Sequence, residues 1–426
     1  MQVLWALLAG WMQLLNKNNY NSKKLSKNMN KWITTVFALF SVMTFSACSA
    51  TNEEMAPVVP TPQVNIKKFV GGDISMLPYY ENIKANYFDH SGKKITAPLA
   101  FFKEEGMNAM RVRLFIDPSK YTGDDKVNIC QDLNYVKTLG KRIKEAGFKF
   151  MLDFHYSDGW ADPGKQWTPE AWTKLNDTEL QAEIYNYTTE ALKELKAAGA
   201  EPDFIQTGNE ISYGMLWGAE DKVGDDETNR CYPSSNMANW NRFGKLLKQA
   251  IKACREQCKD AKIIIHCERV STSQQADNKN YAALSNFFAK MKSYGIDYDI
   301  IGLSYYPYFH GTISELDGAI SLLEKNYADK DIMLVETGYP YAWEVGGSTF
   351  NYTTTYPYSD AGQKQFTDDL ITMLNRHKKV TGLFWWWMEY NAKDTNLTNW
   401  YNAPLFDSNT GKATSALSEL KKFITK

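Results

Sequence analysis

The sequence predicts an α/β fold, a single closed (β/α)8 TIM barrel, on three observations. From Val64 onward, short β-branched or apolar runs alternate with longer segments of helical spacing that carry surface Lys and Glu. The alternation yields eight units of each kind with no second composition regime and no linker, and eight parallel strands alternating with helices close most simply into one barrel. The junctions that leave the strands hold the unusual polar and aromatic residues, and that is the end of a parallel barrel where chemistry is built.

Strands are predicted, in order, at residues 68–74, 109–116, 149–154, 203–207, 262–266, 299–304, 332–335 and 382–386. Helices are predicted at 98–105, 129–146, 178–198, 240–258, 281–294, 315–327 and 360–377, with 414–423 closing the chain. A length of 426 residues would by itself suggest two or three domains. A single barrel often reaches this size, and the unbroken alternation decides for one domain over 64–426.

The formal net charge of −1 leaves no basic excess to attract nucleic acid or an acidic membrane surface, so the partner is expected to be neutral. The 13 Trp and 25 Tyr are many for such a chain. Core packing accounts for most of them, while those placed just after strands suit a flat, uncharged ligand such as a sugar ring.

The N-terminus reads as a targeting segment. Lys23, Lys24, Lys27 and Lys31 precede an uncharged, largely apolar run from Trp32 to Phe45 that stops at Ser46-Ala47-Cys48. A basic region, an apolar core too short for a membrane span and small residues before a cleavage point describe an export signal. The Cys at that point resembles a bacterial lipoprotein signal, with Cys48 as the lipidated first residue of the mature chain; a plain signal peptide is the alternative. Residues 1–48 are therefore expected to direct export, and the mature protein to be a monomer held by a lipid anchor in the cell envelope, at the outer membrane or cell surface. Met29 opens a segment of ordinary signal length, and the apolar stretch from Met1 to Leu15 is what an N-terminal anchor would use instead. Residues 49–63, with Thr, Asn, Glu and three Pro, read as a flexible tether.

Beyond Cys48 the cysteines are Cys130, Cys231, Cys254, Cys258 and Cys267. Their number is odd and their spacing fits neither a zinc site nor a compact disulfide framework, so buried free thiols with at most one bridge are expected. Cys254 and Cys258, four apart on a predicted helix, read as neighbours on one face.

The stretch from Asp203 to Tyr213 carries the candidate chemistry. Phe204, Ile205 and Thr207 read as a short buried strand, Gly208 gives the backbone room to bend, and Asn209-Glu210 falls where the strand ends. Glu336 follows the apolar run 332–335 in the same way. Two carboxylates at the carboxyl ends of separate strands are what glycosidic bond cleavage needs, one to donate and retrieve a proton and one to attack or to activate water.

The other junctions supply the surroundings. Gly71 and Gly72 read as a close backbone turn. Arg111 and Arg113 share one strand face, and since charges on so apolar a strand are rarely buried unpaired, at least one is expected to face the carboxylates and hold a nucleophilic Glu ionised. The third junction gathers Asp153, His155, Asp158, Trp160 and Asp162 into an expected sugar-binding wall, and Trp217 extends the fourth into a long polar loop. His266 reads equally as a site residue and as a satisfied core His. The sixth junction offers Tyr305, Tyr306 and His310, where a Tyr hydroxyl could hydrogen-bond the nucleophile, and the eighth offers Trp386 as a floor under the sugar. The five His are scattered, and there is no His-Glu-x-x-His, no Gly-x-Ser-x-Gly and no phosphate-cradling Gly loop, so no cofactor is expected.

With these residues in view, the chain resembles the retaining (β/α)8 glycosidases, and within them glycoside hydrolase family 53, the endo-β-1,4-galactanases. The resemblance rests on Gly72-Asp73-Ile74-Ser75, Leu152 through Asp158 with Trp160-Ala161-Asp162-Pro163, Gly208-Asn209-Glu210-Ile211 with Gly214 through Trp217, Ile301 through Pro307 with His310-Gly311-Thr312, and Val335 through Pro340. It implies hydrolysis of β-1,4-galactan, the side chain of pectic arabinogalactan, with Glu210 as acid/base, Glu336 as nucleophile and Asn209 touching the sugar hydroxyl next to the reacting carbon. The family usually carries Glu-Pro after the eighth-strand Trp where this chain has Trp387-Met388, and Trp217 is followed by Gly218 rather than Pro; both bear on chain-length preference. Some bacterial members hold calcium in long loops, for which the sequence offers no ligand run. Mannan or xylan as substrate, or glycan binding without catalysis, are the rival readings of the residues alone.

Overall fold

The computed structural model describes residues 67–220, 229–231, 236–271, 281–395 and 403–425. The barrel lies in one compact unit, Asn65–Lys426. The expected export segment, Cys48 and the expected tether lie outside the described residues.

Eight parallel strands form a closed barrel: β1 (Phe69–Asp73), β2 (Ala109–Leu114), β3 (Lys149–Phe154), β4 (Phe204–Thr207), β5 (Lys262–Cys267), β6 (Ile300–Tyr305), β7 (Asp331–Thr337) and β8 (Val380–Trp385). Each pairs with the next, and β8 returns to β1. Between them run α1 (Pro98–Glu104), α2 (Leu133–Glu145), α3 (Asp177–Ala197), α4 (Met237–Gln257), α5 (Ala282–Ser293), α6 (Ile313–Asn326) and α7 (Asp360–Leu374), and α8 (Ser415–Glu419) follows β8. The predicted barrel is the observed one.

Two cores hold it. One lies between strands and helices, and the smaller one, with Ala109, Met151, Phe204, Ile264, Ile300, Met333, Val335 and Phe384, draws on β2 through β8 and fills the ring. Layers of side chains from alternate strands pack such an interior solid.

The differences from expectation are local and have reasons. The sixth helix begins at Ile313 rather than 315, because Thr312 caps it and Glu315 closes a capping box two residues inside. A short helix at Leu77–Asn82, a hairpin of Tyr87–Phe88 with Lys94–Ile95, and a single turn at Pro307–His310 are too short to show a period. Gly71 and Gly72 are not a turn. Both sit inside β1, where a Cβ on Gly71 would lie 1.7 Å from the Ala109 carbonyl and one on Gly72 would lie 2.6 Å from the Trp385 carbonyl. Cys130, Cys231, Cys254, Cys258 and Cys267 are free thiols.

Candidate active site

The barrel mouth is organised by one buried cation. Arg111, fully buried on β2, reaches Asp73 Oδ2 at 3.1 Å through Nη1, and Asp153 Oδ2 at 2.7 Å, Asn209 Oδ1 at 3.0 Å and Glu336 Oε1 at 2.8 Å through Nη2. Burial alone would lower its pKa, but the charges of Asp153, Glu336 and Asp73 outweigh burial and raise it. Nη2 has two hydrogens, and Asp153 and Asn209 take them. Glu336 Oε1 therefore receives the charge without a directed hydrogen bond.

Glu336 reaches this position through a slip in the sheet. It is the penultimate residue of β7, not a loop residue after it as expected. Met333 and Val335 point into the barrel core, so strict alternation would send Glu336 outward. A register shift between Leu303 and Ser304 pairs Ser304 with Glu336, a second shift marks the β8 flank, and an irregularity of this kind re-aims a side chain. The Tyr306 hydroxyl then donates to Glu336 Oε2 at 2.9 Å, the contact anticipated for a sixth-junction Tyr.

Glu210 arrives differently. Gly208 has φ +98°, and Glu210 itself sits in the left-handed region at φ +47°. A non-glycine residue held there costs about 1–3 kcal/mol and is retained where the surroundings over-determine it. Here the Glu210 amide donates to His266 Nδ1 at 3.2 Å, and Gln206 Nε2 lies 2.8 Å from the same nitrogen. With Nδ1 accepting, the hydrogen-bond network assigns the imidazole proton to Nε2, 2.8 Å from Ser304 Oγ. Burial first, then Arg111, keeps His266 well below its usual range and neutral. His266 is thus both satisfied and part of the site.

The two carboxyls are driven apart. Desolvation first, then the charges of Glu336 and Glu268, push Glu210 well above the usual carboxylate range although it keeps partial exposure to the cleft. Burial, then the charge of Asp153, also raises Glu336, to about 7, although Arg111 and the Tyr306 hydroxyl oppose the rise and keep it below Glu210. Of the pair, Glu336 is the one held toward the charged form and Glu210 the one that keeps a proton.

The cleft has two lobes that share Asp162, Glu210 and Glu336. The first, about 320 Å³, is floored by Trp160, Trp386 and Trp387 and edged by Asn209, Asp125 and Lys165. The second, about 550 Å³, is lined by Glu268, Arg269, Tyr306, Phe309, His310 and Phe350 among others. Arg113 lies beneath the aromatic floor, its guanidinium 4.7 Å from the Trp160 ring centre and 4.8 Å from that of Trp386. Of the two arginines only Arg111 faces a catalytic-type carboxylate.

Several expected sugar contacts are instead supports. Asp158 accepts the amides of Asp117 at 3.1 Å and Glu170 at 2.8 Å and braces its loop. Trp217 and Tyr305 are fully buried, their polar atoms donating to the carbonyls of Tyr213 and Gly311 at 2.9 Å each. Asp153 and His155 stand behind the site, His155 Nε2 lying 3.0 Å from Asp153 Oδ2. Gln206, Ser304, Glu268 and Trp387 were not foreseen. Glu268, two residues past His266 in the fifth junction, carried a signal by position alone. Among the described residues no three His, Cys, Asp or Glu side chains converge as a metal site.

A (β/α)8 barrel with two cleft carboxyls of different proton affinity over an indole floor defines a glycoside hydrolase. The model of glycosyl hydrolase family 53 matches residues 69–420, and the chain belongs to that family. Among its relatives, an arabinogalactan endo-beta-1,4-galactanase of Cellvibrio japonicus is 32% identical over 363 residues, 81% of this chain and 88% of the relative. An endo-beta-1,4-galactanase of Bacillus subtilis is 28% identical over 75% of this chain and 70% of its own length. Among solved structures, the GH53 catalytic domain of Ignisphaera aggregans superposes with a TM-score of 0.70 at 32% identity, over 85% of this chain and 97% of that one.

Proposed function

We propose that the protein is an endo-β-1,4-galactanase that cleaves the galactan side chains of pectic arabinogalactan with retention of anomeric configuration. The observation that carries the mechanism is the unequal pair. Glu336 is held by Arg111 and Tyr306, while Glu210 is desolvated and faces the charge of Glu336. Glu336 attacks the anomeric carbon, the glycosidic C–O bond breaks, and the leaving oxygen takes the Glu210 proton. Glu210, now a carboxylate, removes a proton from water, which attacks the same carbon and releases Glu336. Trp386 stacks on the sugar and Asn209 meets the hydroxyl beside the reacting carbon. Substrate identity is carried by the family and by relatives named for β-1,4-galactan.

Digestion of linear β-1,4-galactan, β-mannan and β-xylan, with proton NMR of the first-formed products, tests the reading. Release of β-configured galacto-oligosaccharides is expected, with nearly all turnover gone in Glu336→Ala. Preferential release from mannan or xylan, α-configured first products, or no hydrolysis of any of the three would overturn it. We further propose that the protein is a monomer exported and anchored by a lipid on Cys48. Cys48→Ala is expected to move the protein from the membrane fraction to the soluble one; unchanged fractionation refutes the anchor.

A further inference from the structure

A third buried carboxyl stands in the cleft that the two-glutamate chemistry does not use. Glu268, 3% exposed, follows β5 and lines the second lobe. Its Oε1 accepts from Ser212 Oγ at 2.5 Å and lies 3.0 Å from Arg269 Nε. Its Oε2 has no hydrogen-bond partner among the described residues. A buried acceptor left without a donor costs about 1–3 kcal/mol, which a ligand hydroxyl would relieve.

The chemistry of this lobe suits a sugar. Arg269, fixed 4.2 Å from the Tyr213 ring centre, offers donors beside the Glu268 acceptor, and Phe309 and Phe350 supply apolar edges. Its place along the cleft follows from what the two lobes hold. Both reach Glu210 and Glu336, but Trp386 and Asn209, which the galactanase reading gives to the attacked sugar, line the first lobe and not the second. The second lobe is left for the unit that departs with the oxygen that Glu210 protonates.

Resting on the galactanase reading above, we infer that Glu268 forms the leaving-group subsite, its free Oε2 accepting a hydrogen bond from a hydroxyl of the galactosyl unit that departs. It is a specificity-determining group for chain cleavage and does not take part in bond breaking.

The test compares two substrates on the whole protein. β-1,4-Galactotetraose places a sugar in the second lobe, and p-nitrophenyl β-1,4-galactobioside places an aryl group there. For Glu268→Ala, kcat/KM on the tetraose is expected to fall about tenfold to a hundredfold, as when a buried polar group is left without its partner. On the aryl substrate the loss should be several-fold smaller, since the sugar contact is absent there and only the influence of Glu268 on Glu210, common to both substrates, remains. Glu268→Gln, which keeps an acceptor, should recover part of the loss. Ser212→Ala, which removes the group orienting Glu268, should show the same split more weakly and serves if the first variant does not fold. Equal losses on both substrates, or no loss on the tetraose, overturn the inference. A wild-type protein that cleaves neither substrate overturns the galactanase reading itself, a result distinct from a missing split between substrates.

Discussion

Replacing Tyr306 with Phe removes one oxygen, 2.9 Å from Glu336 Oε2, and leaves the ring in its contacts with Tyr308 and Phe309. A hydrogen bond to a charged group is worth about 1.5–3 kcal/mol, and one pKa unit corresponds to about 1.4 kcal/mol, so Glu336 should rise by about one to two units. Arg111 stands ahead of Tyr306 among the groups that lower Glu336, which places the shift toward the smaller value. The acidic limb of kcat/KM against pH reports the carboxylate that must be charged in the free enzyme, and it should move up by that amount. At a fixed mildly acidic pH the same energy is a loss of about tenfold or more. The assay is initial rates on the aryl galactobioside across the pH range, with circular dichroism to verify the fold. A folded variant whose acidic limb does not move and whose rate stays within about twofold would refute the assignment of Glu336 as the group that must be ionised.

Three further outcomes are expected. Glu210→Ala should lose about a hundredfold to ten-thousandfold on galactan but much less on the aryl substrate, whose leaving group needs little protonation; equal losses would remove Glu210 from the acid role. Glu389 is fully buried, with Oε1 accepting the Met76 amide at 2.7 Å, and burial followed by the charge of Asp73 raises it well above the usual range. Its folded pKa exceeds its unfolded one, so its contribution to stability is full below the unfolded pKa near 4.3 and is lost as pH rises through the folded value. Melting temperature should therefore fall from pH 5 to pH 8, and Glu389→Gln should flatten that fall; an unchanged slope refutes it. Gly72→Ala sets a Cβ 2.6 Å from both Met388 Cβ and the Trp385 carbonyl, which should cost at least about 1–3 kcal/mol as overpacking; a melting temperature equal to wild type would show that β1 yields more easily than its contacts imply.

Much of the site was readable because a parallel barrel converts position in the chain into position in space. Residues just past each strand meet at one mouth, so Asn209, Glu210, Trp160, Asp162, Tyr306, His310 and Trp386 could be gathered from separate stretches. What that rule could not do was sort the gathered residues by depth. Trp217, Tyr305 and Asp158 stand at junctions as surely as Trp386 does. Their polar atoms are taken by the carbonyls of Tyr213 and Gly311 and by the amides of Asp117 and Glu170, pairings between segments that no spacing announces. Gln206 and Ser304 were passed over for the opposite reason, since one polar residue in a strand looks like an ordinary one until its neighbours across the sheet are known.

The order of strands and helices, the two glutamates and the aromatic character of the mouth were determined by the sequence itself, because periodicity and junction chemistry are local. Which way Glu336 points was not. Alternation along β7 would turn it away from the site. Only the register shifts against β6 and β8, a property of three strands held together, bring it against Arg111 and Tyr306. The inequality of the two carboxyls is likewise tertiary, since it depends on the Arg111 charge, from β2, and the Tyr306 hydroxyl, from the end of β6, reaching Glu336.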